Sequence, residues 1–328
     1  MNNPGISIAV VIVNYNGGEY VLECLEALSS QTVAAVKIVI VDNNSDDGSC
    51  EAIRREYPGV DLVELEQNTG FAAANNRALE GLGDLTWVAL LNPDTIPAAN
   101  WLEQLVAAVE QKPDFDIFAS RLVDARDTTI LDGEGDVFHV SGLCWRRHHG
   151  LAADSGTLRD DPVFSGCAAA ALYRRQRIAD VGGFDESFFC YYEDIDLVFR
   201  MRLVGAKCCY IPSAEVLHYG SGLTGRDSDF SVYHGHRNMV WTFVKNMPGK
   251  LFYWYLPQHI LLNMISLVYY SLIGRGKVIW KSKWHALKGL PGAIKKRKEI
   301  QKNRTVGTRE IRKHMVTGLL RPYLSRFR

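Results

Sequence analysis

Ser7-Ile8-Ala9-Val10-Val11-Ile12-Val13-Asn14-Tyr15-Asn16 is an aliphatic, β-branched run that stops abruptly in polar residues. The pattern recurs. Residues 36–41 run into Asp42-Asn43-Asn44-Ser45, and residues 86–91 run into Asn92-Pro93-Asp94. Residues 60–65 and 116–120 complete the early strand candidates, and helical patterns lie between them at 19–30, 50–57, 71–81 and 99–111. Short buried strands alternating with helices of this length predict parallel β-α-β units, hence an α/β fold with a doubly wound, mostly parallel sheet. Ligands of such sheets sit beyond the carboxyl ends of the strands. The polar clusters fall there.

Beyond residue 120 the pattern loosens. Residues 121–164 are rich in Asp, Gly and His, with two Arg-rich spots, and read as loops and short strands that could form an acceptor wall. Residues 164–173 predict a buried strand, 174–181 a short helix ended by Gly182-Gly183, 193–204 a helix, and 206–211 a strand stopped by Pro212. After Ser231 the pattern is wholly helical. The expected organisation is an α/β domain over residues 1–230 and a helical region over 231–328.

The formal net charge is zero, but residues 1–273 hold 20 Lys and Arg against 35 Asp and Glu, while residues 274–328 hold 17 against 2. An acidic body suits metal and hydroxyl chemistry, and a basic tail suits an anionic surface. The seven cysteines show neither Cys-x-x-Cys spacing nor a His partner at zinc-site spacing, and read as reduced thiols of a cytosolic protein. Residues 8–13 lack the basic flank of a signal peptide and read as a strand. No P-loop, dinucleotide fingerprint or Gly-x-Ser-x-Gly elbow is present, which leaves kinase, dehydrogenase and serine-nucleophile readings without support.

Five constellations could carry chemistry. Asp42, at a strand end, can meet a base or ribose, whereas residues 46–49 read as a turn and helix cap. Asn68-Thr69-Gly70-Phe71 opens a helix with small residues that admit either a ligand or another backbone. In Asn92-Pro93-Asp94 the proline stiffens the turn, and Asp94 is either a ligand for a diphosphate-bound cation or an Asx turn. Glu193-Asp194-Ile195-Asp196 opens a helix whose macrodipole favours carboxylates. Asp196 with Arg200 reads as a surface i,i+4 pair, while Glu193 and Asp194, beside Tyr191 and Tyr192, suit a general base of raised pKa. His218 is either structural or a site residue.

In order along the chain, Val13-Asn14-Tyr15-Asn16, Val41-Asp42-Asn43-Asn44-Ser45, Asn68-Thr69-Gly70-Phe71, Leu91-Asn92-Pro93-Asp94, Gly182-Gly183-Phe184-Asp185 and Glu193-Asp194 resemble the motifs of family 2 glycosyltransferases. The likeness is to the rhamnosyltransferase-like branch that builds bacterial surface polysaccharides, and it spans residues 6–220. It implies the GT-A fold and inversion of the anomeric centre by direct displacement. It implies Asp194 as the base for the acceptor hydroxyl with Glu193 beside it, and Asp94, with His218, at a Mg²⁺ or Mn²⁺. It also implies a donor site including Asn14, Asp42, Asn68 and Asn92, where Asn92 replaces the first carboxylate of the family's Asp-x-Asp motif. The Gln-x-x-Arg-Trp motif of processive relatives is missing from residues 234–241, so non-processive transfer is expected, with Arg237 able to meet the diphosphate or to serve a structural salt bridge.

The donor so implied is a dTDP- or UDP-sugar, rhamnose first, and the acceptor a polyprenyl-linked saccharide or other surface glycan. A galactosyl- or N-acetylglucosaminyltransferase, or an inactive nucleotide-sugar-binding scaffold subunit of an assembly complex, are the alternatives. Residues 251–273 carry no charged side chain, yet Pro257, Gln258, His259 and Asn263 interrupt them. The segment therefore reads as interfacial rather than as a core helix or a span. With the basic residues after it, including Lys295-Lys296-Arg297-Lys298, it predicts a C-terminal helical membrane-associating extension. The expected location is peripheral, at the cytoplasmic face on anionic membrane, without nucleic acid as a partner.

Overall fold

The computed structural model describes residues 5–220 and 228–321. In chain order the first half contains β1 (Ile8–Asn14), α1 (Gly18–Ser29), β2 (Lys37–Asp42), α2 (Ser49–Glu56), β3 (Asp61–Glu64), α3 (Gly70–Glu80), β4 (Trp87–Leu91), β5 (Thr95–Pro97), α4 (Trp101–Gln111) and β6 (Ile117–Asp124). The next segment holds β7 (Leu131–Gly133), β8 (Asp136–Phe138), β9 (Cys144–Arg146), β10 (Asp161–Val163), β11 (Ala170–Arg174), α5 (Arg175–Asp180), α6 (Glu193–Leu203) and β12 (Cys208–His218). The chain then continues as α7 (Asp229–Asn246), α8 (Gly249–Leu272), α9 (Gly276–Lys288), α10 (Leu290–Asn303) and α11 (Thr308–Lys313).

β1 is buried along its whole length, and its residues serve two cores in alternation. Ile8, Val10 and Ile12 join Leu25, Ile53, Trp101 and Leu105 on one face, while Ala9, Val11 and Val13 join Ala72, Ala74, Leu197 and Met201 on the other. A strand buried on both faces requires helices on both faces, which is why its sequence is continuously apolar. The main sheet runs β10-β12-β6-β11-β4-β1-β2-β3. β1 is parallel to β2 and β4, β2 to β3, and β6 to β12, whereas β11 lies antiparallel between β4 and β6. The sheet is thus mixed, with its parallel strands presenting Asn14, Asp42 and the Asn92–Asp94 turn at one edge.

Three expectations change in detail. Of the segment 164–173 only residues 170–173 are strand, as part of β11 (Ala170–Arg174). β12 does not stop at Pro212: its register against β6 shifts between Ile211 and Glu215, and pairing then resumes as far as His218. A bulge is where a sheet tolerates a residue without an N–H, and this one carries His218 to the site. The Asp196–Arg200 pair forms at 2.8 Å but is buried, not on the surface, and Lys245 and Asn246 of α7 also reach Asp196 at 2.8 Å. Interior carboxylates persist when every oxygen is paired.

The region after residue 228 is helical, as expected, and shares a core with the body. Phe243, Val244, Met247, Ala293, Ile311 and Met315 cluster with Phe138, Phe199 and Leu203. The basic run of α10 is partly consumed by this packing: Lys296 is paired with Asp185, and Arg297 donates to the carbonyls of Val244 and Met247 at 2.7 Å. Among the described residues no helix is long and apolar enough to cross a membrane. Arg326 and Arg328 of the basic tail lie outside the described residues.

Candidate active site

Asn14 closes β1 with its carboxamide nitrogen 2.8 Å from Asp42 Oδ1 and 2.9 Å from Ser49 Oγ. Asp42 also accepts from the Ser45 N–H at 2.8 Å and hydroxyl at 2.6 Å. Two strand ends are thereby tied into one buried polar floor. Asn68 Oδ1 accepts from the Gly70 N–H at 2.9 Å, in the turn that leads into α3. Gly70 has φ +85°, and a Cβ there would lie 2.5 Å from the Phe189 carbonyl. The small residue therefore admits a backbone, the loop leading to α6. Asn92 is half-exposed at the mouth, with its N–H bonded to the Ala169 carbonyl at 2.9 Å.

Asp94 and His218 meet although far apart in sequence. Pairing of β5 with β12 sets Thr95 opposite His218, leaving His218 Nε2 3.4 Å from Asp94 Oδ1. On its other side His218 Nδ1 donates to Asp132 Oδ2 at 2.6 Å. Burial opposes the imidazolium, but Asp132 and Asp94 outweigh it and raise the His218 pKa above its ordinary value. Asp132 is itself held well below the usual carboxylate range: against the pull of burial stand Arg146, His149 and His218. A carboxylate fixing one imidazole nitrogen so that the other faces a second carboxylate is the arrangement that orients metal-ligating histidines.

The donor chemistry fits a hard divalent ion. Among the described residues no group of three or more His, Cys, Asp or Glu side chains is placed to hold a metal. Two donors from the chain therefore have to be completed by others, and Mg²⁺ and Mn²⁺ commonly take one or two protein ligands with phosphates and water.

Arg146, on the β8–β9 hairpin, links this half of the site to Asp194. Its guanidinium pairs with Asp132 and interacts electrostatically with Asp136 and Asp194. Asp194 accepts from the Ile195 N–H at 2.7 Å and the Ala168 N–H at 3.3 Å, and stays partly open to solvent. Burial raises its pKa, while the two N–H groups and Arg146 act in the opposite direction. Burial and the neighbouring Asp194 push the Asp136 pKa up, so the two carboxyls share a site that disfavours a second negative charge. Glu193 points inward: it is buried, its Oε2 lacks a hydrogen-bond partner among the described residues, and burial followed by repulsion from Asp194 drives its pKa well up. The adjacent pair thus divides into one partly exposed carboxyl and one buried acid.

The loop presenting Asp194 is strained. Phe189, Tyr191 and Tyr192 have φ of 67°, 65° and 68°, in the left-handed region that bulky residues avoid. α7 holds it there. Asn238 Nδ2 lies 3.0, 2.9 and 2.7 Å from the carbonyls of Phe188, Cys190 and Tyr191. Arg237 donates to Phe188 O at 2.7 Å and stacks on Trp241 at 4.5 Å. Arg237 is thus placed on the loop rather than among Asp94, His218 and Asp194. Asn76 of α3 grips the same region, pairing with both backbone groups of Phe184 at 2.8 and 3.0 Å.

Sequence reasoning missed Asp132, Asp136, Arg146 and Asn238. The density of acidic residues in Asp132-Gly133-Glu134-Gly135-Asp136 was a signal, though periodicity could not show which partner those short strands pair with.

The model of the family described as "Glycosyl transferase family 2" matches residues 9–181. The N-acetylglucosaminyl-diphospho-decaprenol L-rhamnosyltransferase of Mycobacterium tuberculosis is 30% identical over 249 residues, covering 69% of this chain and 81% of that protein. The rhamnosyltransferase WbbL of Escherichia coli K12 is 26% identical over 223 residues, covering 65% and 83%. Of solved structures, a Pyrobaculum calidifontis mannosyltransferase in complex with GDP-Man and Mn²⁺ aligns with TM-score 0.53 at 17% identity, over 89% of this chain and 84% of that one. GalNAc-T7 with UDP, GalNAc and Mn²⁺ aligns with TM-score 0.59 at 15% identity, over 74% of this chain and 48% of that one. With its mixed sheet, its clustered strand-end carboxylates and these relatives, the chain belongs to glycosyltransferase family 2, as a GT-A-fold enzyme of the rhamnosyltransferase-like kind.

Proposed function

We propose that the enzyme moves a rhamnosyl group from a nucleoside-diphosphate donor, of the dTDP or UDP type, to a hydroxyl of a polyprenyl-linked or other lipid-linked saccharide. Transfer is non-processive, inverts the anomeric carbon, and takes place at the cytoplasmic face of the membrane with the protein peripherally bound. The observation that carries this reading is Arg146, whose guanidinium joins the Asp94–His218–Asp132 group to Asp194. A leaving diphosphate and an attacking hydroxyl need these two kinds of group side by side. The Mycobacterium tuberculosis relative, named for a decaprenyl-diphosphate-linked acceptor, supports the acceptor class.

Asn14, Asp42, Asn68 and Asn92 shape the donor side, where the floor at the ends of β1 and β2 receives base and ribose. Asp94 and His218 hold the divalent cation, Mg²⁺ or Mn²⁺, which when bound supplies Lewis-acid neutralisation of the departing diphosphate. Asp194, aimed by two backbone N–H groups, withdraws the acceptor proton as the hydroxyl oxygen attacks the anomeric carbon. Glu193 is a buried acid behind it, and Arg237 positions the loop.

A thermal-shift screen of nucleotide sugars tests the reading. dTDP-rhamnose with Mn²⁺ should raise the melting temperature most, because a ligand bound only by the folded state stabilises it by mass action. The Mn²⁺-dependent part should shrink as pH falls, since His218 has its pKa raised and its Nε2 must be free of a proton to bind metal. A larger shift from a galactose or N-acetylglucosamine donor would replace rhamnose in the assignment. No shift from any donor would overturn it.

A further inference from the structure

Twenty-one large hydrophobic side chains are exposed among the described residues, and thirteen of them lie between Tyr253 and Leu287 on α8 and α9 and in the short turn between them. Trp254, Leu261, Ile265, Val268 and Leu272 recur at helical spacing and form one outward stripe on α8. On α9 the exposed Trp280, Trp284 and Leu287 alternate with exposed Lys277, Lys281 and Lys288, and Lys288 Nζ lies 5.1 Å from the Trp284 ring. The helices pack together through Leu267, Tyr270 and Ile279, which keeps the two faces adjacent. Soluble monomers rarely leave so large an apolar patch uncovered.

Charge identifies what covers it. Neither α8 nor α9 contains an Asp or Glu. Tryptophan sits at headgroup depth in bilayers, and lysine stems lie along apolar surface while the ammonium reaches phosphate. We infer that the outer face of α8 and α9 docks on an anionic lipid bilayer, α8 supplying the apolar contact and α9 the cationic rim. Lys296 is already paired with Asp185 and Arg297 with the carbonyls of Val244 and Met247, so the charge for docking comes from α9 rather than from residues 295–298 as a block.

The reverse side of α8 ties docking to the site. His259 Nδ1 donates to the Ser141 carbonyl at 2.6 Å, and its ring stacks on Phe243 at 4.0 Å. Ser141 lies in the turn between β8 and β9, the hairpin that brings Asp136 and Arg146 beside Asp194. Lipid and hairpin are therefore separated by about one helix diameter, ~10 Å. Seated this way, Asp194 meets a lipid-linked acceptor near headgroup depth, a consequence that rests on the acceptor reading above, whereas the docking itself does not.

Flotation of the full chain with phosphatidylcholine vesicles, with and without phosphatidylglycerol, tests the inference. The wild type should float with the anionic vesicles. Trp254→Ser/Trp280→Ser/Trp284→Ser should lower the floated fraction on the order of tenfold, as loss of interfacial apolar area predicts. These side chains are 79%, 61% and 56% exposed, so the melting temperature and donor-induced stabilisation should be unchanged. Lys277→Gln/Lys281→Gln/Lys288→Gln should remove the preference for phosphatidylglycerol. The inference is overturned if the wild type does not float, if the tryptophan variant floats as well as the wild type, or if light scattering shows a non-floating dimer that the tryptophan variant dissolves. Flotation without donor stabilisation would remove the sugar-transfer reading and leave the docking face standing.

Discussion

Asp194→Asn should lower sugar transfer by ~10²–10⁴-fold, the range for loss of a general base, with donor affinity nearly unchanged. The substitution keeps the shape and one of the two backbone contacts, because the Ile195 and Ala168 N–H groups donate to different carboxylate oxygens, but it cannot take the acceptor proton. The pH profile supplies a second readout. Burial raises the Asp194 pKa, so wild-type kcat/KM should fall with acidification at a pH above the ordinary carboxylate range, as the base becomes protonated. Whatever residual activity Asp194→Asn retains should lack that acid limb. Near-normal turnover in the variant, or an unchanged limb, would remove Asp194 from the mechanism.

Much of the surrounding framework was legible from the chain alone. β1, β2 and β4 announce themselves because burial on both faces makes them continuously apolar, and the polar residues ending them have to lie at one sheet edge. Glu193-Asp194 was visible as an acidic helix start, but adjacency could not show that Asp194 stays partly exposed while Glu193 turns into the interior. That division depends on the strained turn at Tyr191 and Tyr192, which Asn238 and Arg237 hold from a helix more than forty residues away. His218 was legible as a residue and not as a position. Pro212 reads locally as a strand end, and only pairing with β6 and β5 shows that β12 bulges and continues. Asp132 and Arg146 were hidden for a related reason: three-residue strands carry too little periodicity to reveal their partners.

Asp94→Ala should be the second severe lesion, and of a different kind. In the proposed assignment the substitution leaves His218 as the chain's single metal ligand, so donor binding and turnover should fall together. If charge neutralisation at the diphosphate contributes several kcal/mol, the loss in kcat/KM should reach at least about a hundredfold. Asp132→Asn, which leaves both donors in place but frees His218 Nδ1 from its carboxylate, should cost a smaller ~10–100-fold in metal affinity. Titration of Mn²⁺ at fixed donor concentration separates the two. Full activity of the wild type in excess chelator would contradict the role given to Asp94.

In the proposed reaction Asp194 activates the acceptor for a single displacement and no side chain attacks the sugar. The configuration of the product distinguishes one displacement from two. Transfer from dTDP-rhamnose to a short-chain, diphosphate-linked N-acetylglucosamine acceptor, followed by NMR of the new glycosidic linkage, should show an anomeric centre inverted relative to the donor. Retained configuration would require two displacements or a front-face reaction, and would rule out the single displacement proposed for Asp194.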